Sequence, residues 1–213
     1  MSPVDAEAGA LHAALRRIAP PAVIVGVRRI HARDLDGMLP DEAAAVAAAV
    51  PKRRREFASG RALLRELIGD DGAIRALASR APSLPAGVRG SLAHDDTWAV
   101  AVITREPLIA ALGVDVEPVG LLAEDVAALI LRPEESGLDA HLAFTLKEAA
   151  YKAWSGLGGR MLDHHDVVVT LDGHRFEARI VTDDVLVGGT WTTACGRWLA
   201  IVAVSATLDR VSR

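Results

Sequence analysis

Chemistry is concentrated first in the stretch Leu112-Gly113-Val114-Asp115-Val116-Glu117-Pro118. It closes an apolar run from Leu108 and reads as the end of a buried strand, with Pro118 as the stop. Side chains alternate along a strand, so Asp115 and Glu117 face one way while Val114 and Val116 face the other. Two neighbouring carboxylates repel each other unless something positive sits between them. A hard divalent cation such as Mg2+, which takes oxygen ligands and bridges to phosphates, suits the pair. By itself the pair is also what a strand looks like when it leaves the core with two hydrated acids.

About thirty residues on, the segment Phe144 to Trp154 has helical character. Thr145 is the predicted N-cap, with Glu148 at the capping-box spacing. Glu148 and Lys152 stand four apart and share a face, as do Lys147 and Tyr151. An exposed Glu–Lys pair would be ordinary helix support. Here the helix is otherwise rich in Ala and aromatic residues, so a carboxylate and an ammonium on it suggest a site.

Four ordered blocks carry a family resemblance. Gly113 to Glu117 fits the pattern G-[IV]-D-x-E, and Phe144 to Ala153 fits F-[ST]-x-K-E-[AS]-x-[YF]-K-A. Ser91 to His94 fits S-x-[ST]-H except at Ala93, and Arg53 to Arg61 fits R-R-x-E-F-x-x-G-R. Together they resemble the 4'-phosphopantetheinyl transferase superfamily, in its longer, monomeric class serving siderophore, polyketide or non-ribosomal peptide synthesis. The match runs from about Pro51 to Trp154, roughly half the chain.

The elements that must position these residues follow from pattern. Residues 5–18 form an amphipathic helix before Pro20-Pro21, and Ala22 to Ile30 a β-branched strand. Pro40 opens an Ala-rich helix to Val50, and Pro51 a second to about Gly69. A short helix is expected over 73–79, then a Pro-punctuated loop through Gly87. Gly90 to His94 and Trp98 to Ile103 are strands around the turn Asp95-Asp96-Thr97. A helix near Leu121 to Leu131 follows the Asp115 strand. Val167–Leu171 and His174–Val181 flank Asp172-Gly173, a hairpin signal, and Trp198 to Thr207 is the last strand. Asp163-His164-His165-Asp166 has the residue types of a metal cluster, but adjacent histidines on a strand point apart, so loop polarity is the better reading.

Composition bounds the function. The 213 residues leave ample room for a core, and 51% hydrophobic with 24% charged residues is a globular balance. A net charge of -4 argues against a nucleic-acid binder. The single cysteine, Cys195, cannot form an internal disulfide, which fits a reducing cytoplasm. No signal pattern or membrane-length apolar run is present, so the chain is expected to be cytoplasmic and off the membrane.

The resemblance adds expectations of its own. It implies an α+β fold of two similar α/β subdomains in pseudo-twofold arrangement, with the active site between them. Thr104-Arg105-Glu106-Pro107 marks a boundary, giving an N-terminal subdomain over 1–104 and a C-terminal one over 105–213. It implies transfer of the phosphopantetheine arm of coenzyme A to a serine of an apo acyl or peptidyl carrier protein, by a monomer using Mg2+. Asp115, Glu117 and Glu148 would hold the metal, Glu148 would also take the serine proton, and Lys152 would serve the leaving phosphate. Lys147 would add positive potential. Arg53, Arg61, Arg80 and His94 would fix the nucleotide end, His94 at the 3'-phosphate. Arg54, seven residues before Arg61, shares its face better than Arg53 does and stays in reserve. Asp95 is expected to turn outward, away from that phosphate. Two alternatives use the same residues: a Mg2+-dependent nucleotide phosphohydrolase, and a catalytically impaired homologue, motivated by Ala93 and Asp95, that holds coenzyme A or a carrier.

Overall fold

The computed structural model describes residues 2–77 and 79–206. Helix α1 (Pro3–Ile18) starts at a capping box between Ser2 and Asp5 and leads to β1 (Ile24–Arg29). Helix α2 (Pro40–Ala45) is shorter than its Ala-rich sequence predicts, because the chain turns at Val46 to enter α3 (Pro51–Ile68). Gly69 ends α3 in the left-handed conformation. Strands β2 (Arg89–His94), β3 (Trp98–Thr104) and β4 (Ile109–Pro118) follow, then α4 (Glu124–Ile130) and α5 (Ala140–Gly156). Strands β5 (Val167–Asp172), β6 (Arg175–Ile180), β7 (Val185–Ala194) and β8 (Arg197–Ser205) complete the described chain.

The strands form two antiparallel sheets, ordered β1-β3-β2 and β4-β8-β7-β6-β5, an α+β architecture. Period-two alternation assigns each face. Val100 and Val102 of β3 meet Leu112, Val114 and Val116 of β4 and Leu11 and Leu15 of α1 in one shared core. The opposite face of β3, with Ala99, Ala101 and Ile103, packs against Leu63, Leu64 and Ile68 of α3. The opposite face of the five-stranded sheet packs against Leu142, Leu146, Ala149 and Ala153 of α5. Helices α3 and α5 therefore flank two sheets that share an inner apolar layer.

Three further expectations change. Residues 73–79 form no helix among those described (residue 78 lies outside them). Ala76 instead bridges to Pro82, and the Ile74 N–H is taken by buried Glu42. Helix α5 begins at Ala140, not Thr145. Asp139 caps it by accepting from the His141 and Leu142 N–H groups, and the mid-helix Thr145 hydroxyl donates to the His141 carbonyl. Strand β7 was not foreseen, because Gly188-Gly189 and three threonines obscure its alternation. Thr207, the expected end of the last strand, lies outside the described residues.

Candidate active site

Helix α5 lies antiparallel along β4, and four contacts give the register. Gly156 meets Ala111, Gly113 meets the backbone of Ala149 and Ala153, Lys152 meets Asp115, and His141 meets Glu117. From Ala111 to Glu117 the strand advances ~20 Å, and from His141 to Gly156 the helix advances ~22 Å. The two runs therefore match end to end. Gly113 makes the close approach possible, since a Cβ there would overlap the Ala149 carbonyl oxygen.

Asp115, Glu117 and Gly113 project on the face toward α5. The Lys152 ammonium donates to Asp115 Oδ1 at 2.6 Å and to the Val114 carbonyl at 3.1 Å. Asp115 is buried, and its Oδ2 has no hydrogen-bond partner among the described residues. Burial, then the Asp115 charge, pushes the Glu117 carboxyl up to about 7. Burial also raises Glu148, with the Lys152 charge opposing and Asp115 adding to the rise. Glu148 thus shares the electrostatic neighbourhood of Asp115 and Lys152. As they stand, Asp115 is turned to Lys152 and Glu117 to His141, and no three potential ligands among the described residues are gathered tightly around one point.

A second cluster forms where α3 meets β2. Arg53 Nη1 lies 2.6 Å from His94 Nε2, and buried Glu56 lies 3.5 Å from Arg53 and 3.6 Å from His94. Arg53, not Arg54, therefore meets His94, and Arg54 is exposed. Gly60 lets α3 settle on Leu92 of β2, which sets this approach. Burial lowers the His94 pKa, Glu56 opposes, and Arg53 and Lys152 add to the lowering. His94 is thus within electrostatic reach of Lys152, so the two clusters adjoin. Ser91 Oγ ties β2 to β4 by accepting from the Val114 N–H at 3.1 Å.

Four expectations are corrected or left apart. Lys147 is 1% exposed, and its ammonium donates to Glu135 Oε2 and to the carbonyls of Ile130 and His164. It holds the fold together and does not face the site, because successive helical residues point about 100° apart. Arg61 is buried too, with its guanidinium over Phe57 and its Nε donating to the Ile74 carbonyl. Burial pushes it down to about 10, against the Glu42 charge. Arg80 is exposed at positive φ (69°), and its side chain has no partner among the described residues. Asp95 does not turn out to solvent: Oδ1 accepts from the Thr97 and Trp98 N–H groups, and Oδ2 accepts from Arg197 Nε. Turn amides and a distant arginine claim it, which removes the acid from the phosphate question.

Asp163 and His165 lie at a one-turn 3-10 segment capped by Asp163, consistent with loop polarity. A groove of about 490 Å3, lined by Ile18, Leu171, Phe176, Gly189 and Ile201 among others, contains none of the candidate residues. Sequence reasoning missed His141 and Glu56. The signal for His141 was its position seven residues before Glu148, hidden by starting the helix at Thr145.

The sequence profile of the 4'-phosphopantetheinyl transferase N-terminal domain matches residues 41–104. The 4'-phosphopantetheinyl transferase Svp of Streptomyces mobaraensis is 37% identical over 182 residues, covering 76% of this chain and 74% of that protein. The chain belongs to the 4'-phosphopantetheinyl transferase family. PptT of Mycobacterium tuberculosis is 34% identical over 181 residues, 75% of this chain and 80% of its own. Npt of Nocardia iowensis is 34% identical over 146 residues, 62% and 66% respectively. No helix among the described residues is long and apolar enough to cross a membrane.

Proposed function

We propose that the chain moves the 4'-phosphopantetheine arm of coenzyme A onto a serine hydroxyl of an apo acyl or peptidyl carrier protein, with Mg2+, leaving adenosine 3',5'-bisphosphate. The observation that carries the reading is the β4–α5 pairing, which sets Asp115, Glu117, Glu148 and Lys152 beside the Arg53–His94 cluster. The reaction would run between an N-terminal subdomain over 1–104 and a C-terminal one over 105–213. One chain supplies every group named, so a monomer suffices, and the cytoplasm, where coenzyme A and carriers meet, is its proposed location.

The acids fit a hard cation. All three offer oxygen donors, Asp115 Oδ2 is a buried acceptor with no partner among the described residues, and Glu117 resists ionising without added positive charge. Asp115, Glu117 and Glu148 would hold Mg2+, whose charge would neutralise the diphosphate. Breaking a pyrophosphate bond needs charge neutralisation and in-line placement more than covalent help. Lys152 stabilises the leaving phosphate with its ammonium or gives it a proton. Glu148, in the electrostatic neighbourhood of Asp115 and Lys152, is the group that takes the serine proton. Arg53 and His94 hold the nucleotide end, His94 at the 3'-phosphate, with exposed Arg80 as a further phosphate contact.

The test is the intact mass of an apo carrier incubated with coenzyme A, Mg2+ and this protein. A gain of about 340 Da, one phosphopantetheine arm, is expected. Cleavage of coenzyme A without a carrier would identify a phosphohydrolase, and binding without either reaction an impaired homologue.

A further inference from the structure

We propose that His141 is a positioning residue that holds Glu117 in place for the cation; the inference rests on reading Asp115, Glu117 and Glu148 as cation-holding acids. Glu117 is the last residue of β4 before Pro118, where the chain leaves the sheet. A flexible carboxylate at a strand exit needs something to fix it. His141 sits in the first turn of α5, its backbone N–H donating to the capping Asp139. Its ring spans the exit segment: Nδ1 donates to the Gly120 carbonyl at 3.2 Å, and Nε2 stands 3.4 Å from Glu117 Oε2. One side chain therefore reaches both the carboxylate and the backbone three residues beyond it.

The setting is enclosed. The His141 side chain is 13% exposed and Glu117 25%. Among the described residues, the Glu117 carboxylate has no other hydrogen-bond or ion-pair partner. His141 precedes Glu148 by seven residues and Lys152 by eleven, so all three lie along one stripe of α5. That stripe faces β4, and its far end is fixed by Lys152 on Asp115. His141 performs the same task at the near end. Carboxylates that hold a metal are themselves held by outer partners, and losing such a partner typically costs 10–100-fold in metal affinity or activity.

The experiment measures Mn2+ binding to the full chain by the free-ion paramagnetic resonance signal, in the parent protein and in His141→Ala, His141→Gln and His141→Asn. The alanine variant should weaken Mn2+ about 10–100-fold, while the Michaelis constant for coenzyme A, measured at saturating metal, stays put. Glutamine extends its amide as far as Nε2 and should restore most of the affinity. Asparagine reaches only as far as Nδ1 and should not. Unchanged Mn2+ affinity in the alanine variant overturns the proposal. So does glutamine failing as badly as alanine with an equal fall in melting temperature, which would make His141 a packing residue. A parent protein that transfers the arm yet binds no Mn2+ would instead remove the reading of the three acids.

Discussion

Replacing Lys147 by methionine separates a buried strut from a ligand contact. The Lys147 and Glu135 side chains are each 1% exposed, and their N–O distance is 2.6 Å. Glu135 also accepts from the Val169 N–H at 2.6 Å and from the Arg132 N–H at 2.9 Å, so the pair binds α5 to the loop ahead of it and to β5. Burial lowers the Lys147 pKa while Glu135 opposes, as expected of an ammonium kept charged in the interior by its partner. The thioether side chain in Lys147→Met would fill much of the space but leave the Glu135 carboxylate buried without a counter-charge, at a cost of about 3–5 kcal/mol. For a chain of this length each kcal/mol moves the melting temperature by about 2–4 °C, so a fall of roughly 6–20 °C is expected by differential scanning calorimetry. Adding Glu135→Gln removes the stranded charge and should recover part of the loss, giving a non-additive double-mutant cycle. The Michaelis constant for coenzyme A should be unchanged in the folded single variant. A melting temperature within about 2 °C of the parent (less than the ~1 kcal/mol step just used) with a tenfold rise in that constant would refute the reasoning and return Lys147 to the site.

Other perturbations test neighbouring links. Gly113→Ala should push α5 off β4, costing on the order of 1–3 kcal/mol or more by thermal melting and most of the turnover; a normal melting curve would contradict the close packing. Arg53→Ala should raise the Michaelis constant for coenzyme A about tenfold or more, from the loss of a charged phosphate contact worth roughly 1.5–3 kcal/mol, whereas Arg54→Ala should not; equal effects would undo the assignment to Arg53. Burial raises the Asp34 carboxyl, but hydrogen bonds from Arg28 and Ser59 win and leave its pKa below the ordinary 3.8. A depressed folded pKa contributes stability above the unfolded value and loses it as pH falls through the folded one, so Asp34→Asn should flatten the stability profile below about pH 4; identical acid profiles for parent and variant would deny the contribution.

Much of the candidate site's arrangement was legible because it rests on local periodicity. The alternation that put Asp115 and Glu117 on one face needs only the two-residue repeat of a strand, and Glu148 with Lys152 only the helical turn. What sequence hid were contacts made over distance. Thr145 and Glu148 look like a capping box, yet Ala140 to Phe144 are equally helical and Asp139 is the better cap. That misplacement concealed His141. Lys147 reads as positive potential for the site until Glu135, from a loop twelve residues earlier, is brought under it. The face-sharing rule favoured Arg54 beside Arg61, but Arg61 turns inward to Phe57 and Ile74, so sharing its face was the wrong criterion. Asp95 is claimed by Arg197, more than a hundred residues away, which no local pattern signals. The two sheets are legible in part: seven of the strands follow from apolar runs, and β7, with its paired glycines, does not.

The most direct test is a crystal grown with coenzyme A and Mn2+ and measured at the manganese absorption edge. Three acids drawn from β4 and α5 around one ion predict a single anomalous peak touching Asp115, Glu117 and Glu148 and a diphosphate oxygen. A peak that leaves Glu148 unengaged, or one seated at Asp163–Asp166, would contradict it.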